Sequence, residues 1–500
     1  MSRIVEALRR HAHSQPDAIA LQGRDSSLDY RETVIAMDRL AALLASSGAN
    51  TVGLLMDNSP AWAVTDLALL AAEINQVPLP PFFSDRQLAH AIEDAAIDCI
   101  LTDQPERIKA LLQQAGASDC HLILPGLRAS LFRLPPRSKK AGAGSSAKIT
   151  YTSGTTGQPK GVALEQDAID QVALSLAEAS AARPSDRHLV TLPLSTLLEN
   201  IGGLYVPLLA GARSVLMPLA EVGMGGSSQF EIAQWLKSCH ASQASSAILV
   251  PQLLFALVQA LQAGAPLPAL RFIAVGGAPV SQALLQQAMA LGLPVFQGYG
   301  LSECASVVAV NTPADNRPGS VGRPLPHVRL RFAPDGVILL DGALFQGYLG
   351  SGPRPADADG FFPSGDLGHL DDDGYLWLTG RKKNIFITAF GRNVAPEWVE
   401  SELTGHLAIA QAAVFGEGQP WNIAVIVPRP VPGKDLLPAV AEAIAAANAG
   451  LPDYGQVKKW LLADEPFTPA NGQLTANGRL RREAILATHN QRIDCLYESQ

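Results

Sequence analysis

From residue 50 to 300, short apolar runs alternate with segments of helical spacing, and that alternation restricts the chain to few folds. The runs at 51–56, 97–101, 148–152, 188–192, 247–250 and 270–275 read as buried strands. Between them, 61–73, 252–261 and 281–291 carry apolar residues at helical intervals. Such alternation predicts α/β layers on largely parallel sheets. Past residue 315 the texture changes. Segments 327–332, 337–340 and 375–378 are separated by Pro-Asp-Gly and Asp-Asp-Gly, the turn chemistry of antiparallel strands. From about 381 onward, strands (385–388, 423–427) mix with helices (396–403, 437–447). At 500 residues the chain exceeds one compact core, so two or more domains are expected.

Residues 149–161 read Ile-Thr-Tyr-Thr-Ser-Gly-Thr-Thr-Gly-Gln-Pro-Lys-Gly. After a β-prone start, this run gathers Thr152, Ser153, Thr155 and Thr156 with Gly154, Gly157, Gly161 and Lys160. Glycines let backbone N–H groups turn tightly around an anion, and the hydroxyls and Lys160 add donors and one positive charge. The segment suits a polyphosphate. It lacks the spacing G-x-x-x-x-G-K-[ST], and its lysine follows a proline rather than opening a helix. A flexible Ser/Thr/Gly linker would share the composition.

Several classes are excluded. A formal charge of −8, without a basic stripe, argues against nucleic acid as a partner. No run approaches about 18 apolar residues, so no integral membrane segment is expected. The five cysteines are scattered with no C-x-x-C pair, and the start lacks an apolar signal core. These features fit a reduced, cytoplasmic enzyme.

Beside later segments, the opening loop gains meaning. Gly298-Tyr299-Gly300-Leu301-Ser302-Glu303, Gly365-Asp366-Leu367, and the stretch from Gly380-Arg381 to Gly391-Arg392-Asn393-Val394-Ala395-Pro396 follow it in order. Together these resemble the adenylate-forming superfamily of acyl-CoA synthetases, luciferases and peptide-synthetase adenylation domains, over nearly the whole chain. Leu192-Pro-Leu-Ser-Thr-Leu-Leu-Glu-Asn200 and the Gly380–Pro396 stretch are similar to the long-chain fatty acyl-CoA synthetase form. The resemblance implies an α/β fold. Residues 1–380 would form a large N-terminal AMP-binding domain of layered α/β subdomains plus a small β-barrel-like subdomain. Residues 381–500 would form a small, mobile α+β C-terminal domain.

It also implies a two-step reaction: a carboxylate attacks the α-phosphate of ATP, releasing pyrophosphate, and a thiol of CoA or of a carrier protein's phosphopantetheine then displaces AMP. Building charge around phosphorus needs cations, donors and alignment rather than a protein nucleophile. In this reading Lys160, Glu303 and Arg479 are catalytic, and Glu303 holds Mg²⁺. Thr152, Ser153, Gly154, Thr155, Thr156, Gly277, Ala278, Gly298, Tyr299, Gly300, Ser302, Glu303, Asp366 and Arg381 bind the nucleotide. Tyr299 would stack on adenine, Ser302 donate to the α-phosphate and Asp366 accept the ribose hydroxyls. Three of these also have a structural reading: Tyr299 as a core tyrosine, Glu303 as a helix cap and Asp366 as a turn aspartate. Lys383 falls near the implied hinge. The acyl pocket is expected from the 196–208 helix, 251–254 and 275–279. These are small or aliphatic, which favours an aliphatic acid.

Two positions depart from the family pattern. Arg479 stands where the family has a late lysine, and arginine is planar and forked where lysine is a point charge; Arg481 would fill the slot under a shifted register. Thr196 and Asn200 replace the histidine and arginine of the long-chain signature. The alternatives are a weakened nucleotide-binding homologue and an adenylating enzyme with a non-thiol acceptor.

Overall fold

A computed structural model describes residues 2–112, 118–124, 127–135, 147–152, 159–225, 229–352, 354–475 and 478–498. Two large mixed sheets dominate, of nine and eight strands. In the nine-stranded sheet, Arg187–Leu189, Ser246–Leu249, Phe272–Val275 and Val295–Leu301 run parallel in that order. The strand Ser306–Val310 then adds antiparallel. In the eight-stranded sheet, Thr51–Leu55, Asn75–Pro78, Cys99–Thr102 and Lys148–Thr152 are parallel, and Lys160–Leu164 turns back on the last of them. The expected strands and helices are present. The sheets are parallel at their centres and antiparallel at their flanks, where hairpins replace helical crossovers.

The helix Pro60–Ala71 reads Pro-Ala-Trp-Ala-Val-Thr-Asp-Leu-Ala-Leu-Leu-Ala and is buried along nearly its whole length. A helix apolar on all sides belongs inside a core, and it packs in the largest hydrophobic cluster, with Trp62, Leu67, Val162, Ile169 and Leu204. Its one carboxylate, Asp66, therefore needs a buried partner.

Residues Val328–Phe332, Val337–Gly342, Phe362–Leu370 and Leu376–Arg381 form a four-stranded antiparallel sheet. Its outer strands do not pair with each other, so the barrel-like element is an open sheet. The C-terminal part pairs Ile409–Phe415, Asn422–Pro428 and Val457–Leu462, with the helices Pro396–Thr404 and Leu436–Ala449 in one core. No helix among the described residues is long and apolar enough to cross a membrane.

Candidate active site

A cavity of about 960 Å³ opens where the central parallel strands end, and it continues as a tunnel between that sheet and the helix Gln166–Ala179. Ligand sites in α/β sheets form outside the carboxyl ends of strands for this reason: the backbone there is free of ladder partners. Thr152 and Lys160 face each other across the hairpin that brackets the glycine-rich loop, and both line the cavity. The expected binders Ser153, Gly154, Thr155 and Thr156 lie outside the described residues. Lys160 Nζ sits 5.5 Å from the centre of the Tyr348 ring.

Gly298, Tyr299, Gly300, Ser302 and Glu303 line the cavity, as does Gly277. Glycine is required at 300: a Cβ there would lie 1.6 Å from the Ser306 carbonyl oxygen, where the two strands pinch at a bulge. Ala278 is exposed and does not line the cavity. Tyr299 is buried, and its hydroxyl donates to Asp366 Oδ2 at 2.7 Å. Burial first, then the Asp366 charge, pushes the Tyr299 pKa far above its usual value.

Asp366 and Arg381 are cross-strand partners, which brings Arg381 Nε within 2.8 Å of Asp366 Oδ1. Both carboxylate oxygens of Asp366 are thus engaged; Arg381 lines the cavity and Asp366 does not. Each oxygen keeps a further acceptor site for a hydroxyl.

Glu303 sits in the short turn Ser302–Cys304, and Tyr348 Oη donates to its Oε1 at 2.7 Å. Burial, then Glu303, raises the Tyr348 pKa. Among the described residues no group of three potential metal ligands converges. A single carboxylate in a cationic cleft does fit Mg²⁺ arriving on phosphates, since that ion keeps water and phosphate oxygens and takes one or two carboxylates.

Arg479 projects from a tight turn in which its N–H donates to Thr475 Oγ1 at 3.1 Å and its carbonyl accepts from the Thr475 N–H at 2.8 Å. It lines the cavity with Arg381, Lys382 and Lys383. Arg481 instead donates to the Gly472 carbonyl at 3.2 Å and does not line the cavity. Arg479 remains accessible within the cleft, yet enough protein surrounds it that burial, then the Arg381 charge, lowers its pKa against the pull of Asp366 and Glu303. Lys383 is lowered by burial, then by Arg381 and Arg479. These cations depress one another, and Asp366 and Glu303 only partly offset them. The cleft is built for a polyanion.

The tunnel walls include Leu176, Thr196, Leu198, Gly202, Ile248 and Val250. Contrary to expectation, 251–254 do not line it. That segment starts the helix Pro251–Gln262, and Leu253 and Leu254 point into a separate core. The expected helix over 196–208 contains a π-helical stretch, Asn200–Tyr205. Widened turns of this kind often accompany function. Gly203 is needed within it, since a Cβ there would lie 2.4 Å from Glu199 Oε1 and 3.1 Å from His188 Nε2.

Behind this wall is a buried polar cluster that the sequence reading missed. Lys148 Nζ donates to Asp66 Oδ1 at 2.9 Å, to Tyr205 Oη at 2.8 Å and to Asn200 Oδ1. Tyr205 Oη donates to Asp66 Oδ2 at 2.5 Å. Burial lowers the Lys148 pKa, and Asp66 opposes it. Asn200, where the long-chain signature has arginine, thus faces a lysine from the strand beneath.

An AMP-binding enzyme family model matches residues 8–337, and the model of the AMP-binding enzyme C-terminal domain matches 383–500. The chain is 31% identical to the indoleacetate–CoA ligase of Aromatoleum aromaticum, over 85% of this chain and 88% of that protein. It is 27% identical to a long-chain-fatty-acid–CoA ligase of Mycobacterium tuberculosis, covering 88% and 86%. Among solved structures, an anthranilate CoA ligase in complex with anthranoyl-AMP superimposes with a TM-score of 0.80 at 19% identity, covering 98% of each chain. With its cationic cleft, glycine-lined strand ends and apolar tunnel in the places described, the chain belongs to the AMP-binding enzyme family.

Proposed function

We propose that this enzyme is an acid–thiol ligase that activates an aliphatic carboxylic acid with ATP and passes the acyl group to CoA. A carboxylate oxygen attacks the α-phosphorus, the bond to the β-phosphate bridging oxygen breaks, and pyrophosphate leaves. The thiol, losing its proton, then attacks the acyl carbonyl and AMP departs. A carrier protein's phosphopantetheine offers the same thiol, and the two acceptors separate in the assay below.

The observation that carries this reading is the convergence of Lys160, Arg381, Lys383 and Arg479 with Glu303 at the mouth of an apolar tunnel. Lys160 and Arg479 meet charge developing on the phosphates, where preorganised donors act with little reorganisation. Glu303 holds Mg²⁺, which neutralises phosphate charge when bound. Ser302 donates to the α-phosphate, and Gly277 and the Gly298–Gly300 backbone border the adenine beside Tyr299. Asp366, aligned by Arg381, takes the ribose hydroxyls. Residues 1–380 and 381–500 are read as two domains with Lys383 near their hinge. The buried free cysteines Cys99, Cys239 and Cys304 suit the reducing cytoplasm.

Carboxylate-dependent exchange of labelled pyrophosphate into ATP tests the reading, followed by AMP release with CoA or with a loaded carrier. Exchange is expected with aliphatic acids and lost in Glu303→Ala. Absence of exchange with every acid would leave only a nucleotide-binding homologue.

A further inference from the structure

On the sheet side of the tunnel, Val250, Ile248 and Ser246 follow one another at every second position, so they share one face of the strand. Phe272 and Ala274 continue that face on the neighbouring strand. From Val250 to Ser246 is four residues, about 13 Å of strand.

At the far end Asp186 and Arg271 line the cavity. Arg271 Nε donates to Asp186 Oδ1 at 2.7 Å, Arg271 Nη2 pairs with Asp186 Oδ2, and Nη1 donates to the Ser180 carbonyl at 2.9 Å. Ser245 Oγ and the Arg183 N–H also donate to Asp186, each at 2.9 Å. Beside them His188 binds Ser246 Oγ through Nδ1 at 3.0 Å and Glu199 through Nε2 at 3.2 Å.

These floor groups satisfy one another, and none is a buried polar atom lacking a partner among the described residues. Ser195 Oγ is such an atom, and it lies near the opposite end with Leu192 and Thr196. The bonds of Arg271 to Asp186 and to the Ser180 carbonyl use three of its five N–H groups and hold the guanidinium in place from all three nitrogens. A chain that reaches this fixed pair meets a stop.

We propose that Asp186 and Arg271 form the floor of the acid-binding tunnel and limit the substrate to acyl chains of about ten to twelve carbons. This rests on the reading of the cavity as an acid-activation site. The length follows from about 1.25 Å per methylene, set by a ~1.5 Å bond and a ~111° angle, against about 13 Å of tunnel.

The test is pyrophosphate exchange with saturated acids from butanoate to octadecanoate. In the unmodified enzyme kcat/KM is expected to rise about fourfold per methylene buried, break near ten to twelve carbons, and fall at least tenfold by hexadecanoate. Ala274→Phe narrows the tunnel above the floor and should move the break to shorter acids with the KM for ATP unchanged. The double variant Asp186→Ala/Arg271→Ala removes both charges together and should move it to longer ones. If that variant does not fold, Ala274→Phe still decides. Equal exchange from decanoate to octadecanoate, or a break that Ala274→Phe leaves in place, would overturn the floor and leave adenylation intact. No exchange with any acid would overturn both.

Discussion

Replacing Lys148 with methionine deletes the ammonium facing Asp66 while keeping an unbranched side chain in the core. Lys148 and Asp66 side chains are 1% and 0% exposed, so water cannot take over the lost bonds. Breaking a buried pair from one side costs about 3–5 kcal/mol, because the remaining charge stays desolvated. Unfolding entropy is about 2.1 cal/mol/K per residue, or ~1 kcal/mol/K for 500 residues. The expected loss in melting temperature is therefore about 3–5 °C if the chain melts as one unit, and somewhat more if the N-terminal part melts alone. Lys148→Met/Asp66→Leu removes both charges and should recover most of that loss, since apolar replacement of a whole buried pair is often neutral or stabilising. Calorimetry measures the shift. A second readout links the cluster to the site: Asn200 and Tyr205 belong to the π-helix that carries Gly202 into the tunnel wall, so the KM for the acid should rise while that for ATP stays put. A Lys148→Met protein melting within a degree of the unmodified one, with the acid KM unchanged, would refute this account of the cluster.

Arg479→Ala should lower exchange by about 10²–10³, the effect of removing one transition-state donor, whereas Arg479→Lys should stay within about tenfold of the starting rate because the charge is kept; steady-state exchange decides. Asp366→Asn weakens the hold on both Tyr299 and Arg381, so the KM for ATP should rise at least tenfold with little change in the KM for the acid. Burial raises the thiol pKa of Cys99 to about 11 and of Cys239 to about 12, and holds that of Cys304 well above its usual value. Those three stay protonated up to pH 9, so among Cys99, Cys239, Cys304 and Cys495 only the exposed Cys495 should react with iodoacetamide in the folded protein, as peptide mass mapping would show.

Local signals carried the strands, the helices and several residues of the cationic cleft. Lys160, Gly300, Glu303 and Arg381 sit in short segments whose composition announces a purpose, and the structure brings them to one cleft. Other residues depend on contacts that no window of sequence contains. Lys148 reads as an ordinary strand start, and its partners Asp66, Asn200 and Tyr205 are 82, 52 and 57 positions away. The one available hint was Asp66 itself, a lone carboxylate in a helix otherwise too apolar to face water. The segment 251–254 was misplaced for a related reason: its apolar residues fit a pocket or a core equally well, and only the sheet's geometry chooses. Asp186 and Arg271 look like loop residues at strand starts until the parallel pairing stacks them at one end of the tunnel.

The central claim is that the acid is transferred onto the α-phosphorus, and oxygen-18 follows that bond. With a carboxylate labelled in both oxygens, ATP and CoA, each AMP released should carry one labelled oxygen and the pyrophosphate none. Unlabelled AMP, or label in phosphate or ADP, would contradict the claim.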